Sequence, residues 1–308
     1  MTLLRRASLY LFFMIVTYSP LVHSAIEDDT FLVTVDWLHE RLADPSVVVL
    51  DATVEIGRSE EGRLINLSGL PGFEQAHIPG ARFADLKDRL SKQPAAFDNV
   101  MPEPDHFARE LELLGISNDS EIVIYSRQYS VWAARLWWML KWAGHEKVAL
   151  LDGGFKAWQD AGFPIATGSS HVSKGHYQLQ LNHALIADQQ QVHRAIEDQE
   201  TLLVDATPAA HFAGDFAMYA RSGHIPTAIN IPTSLVERHD GRFVSSDEVS
   251  LLLEQSTDTP IIAYCGGGVA ASAIAFNLKR AGFNNVAVYM GSLQEWVIDP
   301  NNPMSSDE

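Results

Sequence analysis

Cys265 is the only cysteine in the 308 residues, and Gly266-Gly267-Gly268-Val269-Ala270-Ala271 follows it directly. A cysteine attacks only as its thiolate, so its surroundings decide whether it reacts or merely packs. The apolar run Ile261-Ile262-Ala263-Tyr264 ahead of it reads as a buried strand, and Ala270 to Arg280 behind it as a helix. Strand, glycine-rich turn and helix start aim several backbone N–H groups at one point, where they hold an anion. Gly266, Gly267 and Gly268 permit positive φ and close approach of backbone to a ligand. The pattern favours the Cys265 thiolate and can hold the terminal sulfur of a Cys–S–S⁻ persulfide in the same cradle. A free cysteine taken alone is most often a small buried hydrophobe. The glycines and the helix start are what argue for reactivity here.

The elements that must position Cys265 occur twice. Ile122-Val123-Ile124-Tyr125-Ser126 matches Ile261-Ile262-Ala263-Tyr264-Cys265. Each copy continues through a helical stretch to Ala143-Gly144 or Ala281-Gly282, then a second apolar strand, then Gly-x-x-x-x-Trp. Gly144 and Gly282, Gly153 and Gly291, and Trp158 and Trp296 are each 138 positions apart. Upstream, Val47-Val48-Val49-Leu50-Asp51-Ala52 matches Leu202-Leu203-Val204-Asp205-Ala206, and His77-Ile78-Pro79-Gly80-Ala81 matches His224-Ile225-Pro226-Thr227-Ala228. Strands alternating with helices imply an α/β fold with two similar domains, each a mostly parallel sheet flanked by helices. The expected boundaries are 30–166 and 181–300, with 167–180 as linker and Pro300 to Glu308 as a loose polar tail.

With these segments in order, together with Trp132-Ala133-Ala134-Arg135-Leu136-Trp137-Trp138 and Leu151-Asp152-Gly153-Gly154-Phe155, the chain resembles the tandem-domain rhodanese family over almost its whole length after the first residues. That family comprises thiosulfate and 3-mercaptopyruvate sulfurtransferases. The resemblance implies a catalytic C-terminal domain working through Cys265, and an N-terminal domain without a nucleophile, where Ser126 is a strand-end turn residue. It implies sulfur transfer from an anionic donor, thiosulfate or 3-mercaptopyruvate, to cyanide or a thiol through a Cys265 persulfide. The binding residues would be Gly266, Gly267, Gly268, Val269, Ala270 and Ala271. The loop is similar to the mercaptopyruvate branch, which usually has Ser or Thr where Gly267 stands and Thr where Ala270 stands. Relatives usually grip the donor with an Arg where this chain has His211, so Arg221 and His211 are the expected donor anchors. His77 and His224 read as loop-fixing residues, Arg135 as an interdomain or structural pair, and the tryptophans of 132–142 as core.

Competing readings are a non-enzymatic rhodanese-like binding or redox-sensing protein, and a cysteine phosphatase or arsenate reductase. The latter needs Cys-x5-Arg, and Ala271 stands in place of the Arg. No cofactor is expected. No metal site is expected either, since the 12 histidines are scattered and zinc sites of the cysteine type need several thiolates.

Composition narrows the partners. With 46% hydrophobic and 20% charged residues the chain is an ordinary globular one. A net charge of -17 argues against nucleic acid and anionic membranes, and demands locally placed cations or N–H groups for an anionic substrate. Arg5-Arg6, the uncharged apolar run Ala7 to Thr17, Pro20 and the small residues up to Ser24 form a signal-peptide pattern, with cleavage expected after Ser24 and a periplasmic destination. An uncleaved anchor is the alternative reading. Two fused domains remove the need for a dimer, so a monomer is expected.

Overall fold

The computed structural model describes residues 25–27, 30–62, 64–169, 172–217 and 219–306. The segment read as a signal peptide, with its cleavage point after Ser24, lies outside the described residues.

Twelve strands are described: β1 (Leu32–Val33), β2 (Val47–Asp51), β3 (Val54–Arg58), β4 (Leu64–Ser68), β5 (Arg82–Phe83), β6 (Glu121–Tyr125), β7 (Val148–Leu151), β8 (Ile186–Ala187), β9 (Leu202–Asp205), β10 (Ile229–Asn230), β11 (Ile261–Tyr264) and β12 (Val286–Tyr289). They form two five-stranded sheets, ordered β1-β7-β6-β2-β5 and β8-β12-β11-β9-β10. Every pairing in both sheets is parallel. The two orders superpose strand for strand, so the sequence duplication is a duplication of topology. Parallel sheets are covered on both faces, which is why β2, β6, β7 and β11 are continuous buried apolar runs without alternation. The antiparallel ribbon β3–β4 stands apart, and the repeat did not foretell it.

Equivalent positions carry equivalent contacts. Asp51 pairs in register with Tyr125, as Asp205 does with Tyr264. The Tyr125 hydroxyl accepts from Ile78 N (3.4 Å) and that of Tyr264 from Ile225 N (3.0 Å). Both tyrosines are pushed well above the ordinary phenol range by burial. His77 stacks on Phe73 and its Nδ1 bonds the Phe73 carbonyl; His224 stacks on Phe212 and bonds the Phe212 carbonyl. These two histidines fix loops. Trp158 Nε1 donates to Pro164 O, and Trp296 Nε1 to Pro303 O, so each Gly-x-x-x-x-Trp closes its domain in the same way.

The domains share one core. Helix Ser130–Trp142 packs on helix Val269–Arg280. Trp137 meets Phe276 edge-on at 5.1 Å, and Phe31 and Phe243 complete the cluster. Both helices are apolar around most of their circumference, as helices buried between two sheets must be. Each large aromatic buried here contributes roughly 1.5–3 kcal/mol.

Residues 172–182, which run past the end of the expected linker, hold no helix or strand and bond to the N-terminal domain. Gly175 N donates to Glu112 O, Gln180 N to Ala143 O and Asn182 N to Trp142 O, and Tyr177 is buried. The tail is not loose through Ser306. Asn302 is buried, Met304 packs against the second core, and Ser305 bridges His224.

Candidate active site

β11 delivers Cys265 to the carboxyl edge of the second sheet, where parallel α/β folds place their ligands. Gly268 caps the following helix with φ 76°, the left-handed conformation that glycine adopts without strain. The N–H groups of Gly266, Gly267, Gly268, Val269 and Ala270 donate to no protein acceptor among the described residues. Five successive donors at a helix start, next to a thiol, are an arrangement that can hold an anion. The Ala271 side chain is fully buried on the helix.

The loop is stitched to the helix Ser292–Trp296. Cys265 N donates to Ser292 Oγ (3.1 Å), Leu293 N to Cys265 O (3.0 Å) and Gln294 N to Gly266 O (2.9 Å). The Ser292 hydroxyl in turn donates to Tyr289 O (2.7 Å). The degenerate copy keeps one of these stitches, Phe155 N to Ser126 O. There the Ser126 hydroxyl is spent on Tyr129 O (2.6 Å), which supports its reading as a turn residue.

Three side chains wall the loop, one against each glycine. A Cβ on Gly266 would run into the Tyr219 hydroxyl, one on Gly267 would lie 3.0 Å from Gln294 Nε2, and one on Gly268 2.6 Å from Arg135 Nη1. Neighbours fill the space that a side chain would take at Gly266 and Gly268, whereas at Gly267 the Gln294 side chain would have to shift slightly. Gln294 Nε2 also donates to Asp98 O (2.7 Å), and Arg135 Nη2 to Asn99 O (2.6 Å), so the N-terminal domain reaches the loop in two places. Cys265 is only 4% exposed beneath this cover. Tyr219 belongs to a segment flanked by Gly214 and Gly223, both at positive φ (94° and 89°).

Tyr219, Gln294 and Ser292 were missed at the sequence level. The glycine bracket around Tyr219 was a usable signal; Gln294 and Ser292 had none, because their roles depend on packing across the sheet edge. Arg135 was expected as one half of a pair. It is buried, bonds only carbonyl and thioether acceptors, and has no carboxylate partner among the described residues.

The two expected donor anchors are placed otherwise. Arg221 donates to the carbonyls of Asn302 (2.6 Å), Asp299 (2.9 Å), Pro300 (3.4 Å) and Trp296 (3.5 Å). A fork so engaged ties down the tail and has few donors left for a substrate. His211 is fully buried, and burial lowers its pKa against the opposing pull of Asp205, which disfavours the charged form that a cationic anchor needs. Neither of its ring nitrogens has a partner among the described residues, nor has Asp205 Oδ2 or Thr207 Oγ1.

The geometry can be set beside known proteins. The rhodanese-like domain model matches residues 34–161 and again 188–299, more than half of the chain. A probable 3-mercaptopyruvate sulfurtransferase of Pseudomonas aeruginosa is 32% identical over 286 residues, covering 90% of this chain and 98% of the relative. The 3-mercaptopyruvate sulfurtransferase of Escherichia coli K12 is 32% identical over 273 residues, covering 87% and 95%. The crystal structure of the 3-mercaptopyruvate sulfotransferase SseA from Escherichia coli superposes with a TM-score of 0.77 at 30% identity, covering 85% of this chain and 98% of that one. Two rhodanese-like sheets, with a cysteine loop on the second alone, agree with these matches, and the chain belongs to the tandem rhodanese family of sulfurtransferases.

Proposed function

We infer that this sulfurtransferase carries sulfur as a persulfide on Cys265, with 3-mercaptopyruvate as donor and a small thiophile such as cyanide or a thiol as acceptor. The observation that supports the reading is the run of unpartnered N–H groups from Gly266 to Ala270 directly after a lone cysteine. The Cys265 thiolate attacks the donor sulfur. The carbon–sulfur bond breaks, its electron pair passes to the enolate of pyruvate, and the thiol proton ends on the new methyl group. The acceptor then attacks the outer sulfur of Cys265–S–S⁻, the sulfur–sulfur bond breaks and the thiolate returns. No external oxidant or reductant enters, and the negative charge stays over the same donors throughout.

Donor choice follows from the loop. Thiosulfate is a dianion, and the residue that follows Cys265 is the uncharged Gly266. Arg221 is engaged elsewhere, and burial disfavours a charged His211. A keto acid with one carboxylate needs less positive charge around it than a dianion does. The N-terminal pattern through Ser24 supports an exported, periplasmic enzyme.

The test is sulfur transfer to cyanide by the protein without residues 1–24, with 3-mercaptopyruvate and thiosulfate compared side by side. A higher kcat/KM for 3-mercaptopyruvate is expected, together with one added sulfur atom on Cys265 by mass spectrometry after donor alone. A preference for thiosulfate overturns the donor choice, and a Cys265 that takes up no sulfur overturns the mechanism.

A further inference from the structure

We propose that Arg135, a side chain of the N-terminal domain, is the counter-cation of the Cys265 thiolate and persulfide, so that the domain without a nucleophile completes the active site of the domain that has one. The inference rests on the persulfide reading above and adds the charge which that reading requires.

The argument begins with an imbalance. Arg135 lies on the helix Ser130–Trp142 at the domain boundary and is 2% exposed. A guanidinium taken out of water needs an opposite charge, or the fold bears an uncompensated ion. Among the described residues no Asp or Glu forms an ion pair with it. Its bonded acceptors are the Asn99 carbonyl (2.6 Å) and the Met290 sulfur (2.8 Å), the second a weak acceptor. Neither carries charge. Its Nη1 lies against Gly268, the last residue of the cradle.

The anion that would complete this arrangement is Cys265, at the start of the same loop. Arg135, Tyr219 and Tyr264 all feel the charge of Cys265. Burial pushes both phenols up, and the Cys265 charge pushes them further, so they stay neutral. Arg135 is lowered by burial to about 10 and raised by Cys265, and it is the positive member of the three. The N–H groups of the loop supply dipoles; Arg135 supplies the whole charge. In a chain of net charge -17 such a local cation also offsets the surrounding field at the point where anions meet. Gly268 follows from the same requirement, because any side chain there would displace the guanidinium.

Arg135 acts through Cys265 and is a positioning residue, so its test must separate charge from scaffolding. The rate of Cys265 alkylation by iodoacetamide would be followed against pH in the full chain, in Arg135→Lys and in Arg135→Gln. The midpoint should rise by about one unit in Arg135→Gln, a tenfold loss of thiolate at a given lower pH, and by much less in Arg135→Lys. Equal midpoints in Arg135→Gln and the unsubstituted chain overturn the proposal. Should Arg135→Gln not fold, Arg135→Met, which keeps most of the side chain's length without its charge, is followed in the same way, and an unmoved midpoint there overturns the proposal. Sulfur uptake by Cys265 is scored separately: uptake with an unmoved midpoint sinks the Arg135 role and leaves the function standing, whereas no uptake sinks the function.

Discussion

Arg135 Nη1 and Gly268 belong to different domains and occupy complementary space: a Cβ on Gly268 would lie 2.6 Å from that nitrogen and 2.6 Å from the Met290 carbonyl oxygen. The backbone oxygen cannot retreat without moving the end of β12, and φ at Gly268 is 76°. Gly268→Ala should therefore lose sulfur transfer and at least about 1–2 kcal/mol of stability, the cost of the left-handed conformation alone. Thermal unfolding and turnover of the same preparation check both.

Cys265→Ser removes the nucleophile for a small change in volume at a buried position. Transfer should fall by at least about a thousandfold, with a stability change near neutral pH of about 1 kcal/mol. A variant that retains more than a few per cent of its turnover would place the chemistry elsewhere.

Gly266→Ala should damage activity more than stability. Its Cβ would run into the Tyr219 hydroxyl, and Tyr219 is a partly exposed side chain on a glycine-flanked segment that is able to yield. The displaced tyrosine would then block the approach to Cys265. Adding Tyr219→Ala should restore much of the lost kcat/KM. Failure of that rescue would mean that Gly266 is needed for its backbone and not for room.

Arg221→Ala should behave as a stability variant. Its four carbonyl contacts hold residues 296–302 against the domain, and losing them should cost about 1–3 kcal/mol in urea unfolding. Donor KM should hardly move. A KM raised tenfold with unchanged unfolding would return Arg221 to the donor site.

Stability should decline on mild acidification partly through His211. Burial holds its folded pKa below the unfolded value of about 6.5, so the unfolded chain binds the extra proton. This contribution is present above about pH 6.5 and is lost as pH falls through that value toward the lowered folded one. His145, also lowered by burial, adds in the same direction. His211→Gln should lose less Tm between about pH 7 and pH 5 than the unsubstituted chain, and an identical slope would show that His211 does not contribute.

The duplication, the sheets and the cysteine loop were legible in the sequence because each is written in contiguous residues. A buried parallel strand is a short apolar run, a helix start after glycines is a local pattern, and matched offsets repeat both. The β3–β4 ribbon was missed because its strands, with Ile56, Leu64 and Leu67 exposed, carry no clear alternation. The tail was misread because its short polar residues hide the backbone carbonyls that Arg221 and Trp296 use.

By itself the sequence determined that there are two rhodanese-like halves, and that only the second carries a cysteine, placed ahead of a glycine-rich turn. Which charges serve that turn was decided by the tertiary structure. Arg221 and His211 lie nearer to Cys265 along the chain than Arg135 does, yet one is bound to tail carbonyls and the other is buried, which disfavours its charged form, while Arg135 lies against the loop. The physical reason is that the effect of a charge depends on distance through space and on desolvation. Both are set when the helices Ser130–Trp142 and Val269–Arg280 pack, and neither is encoded in spacing along the chain.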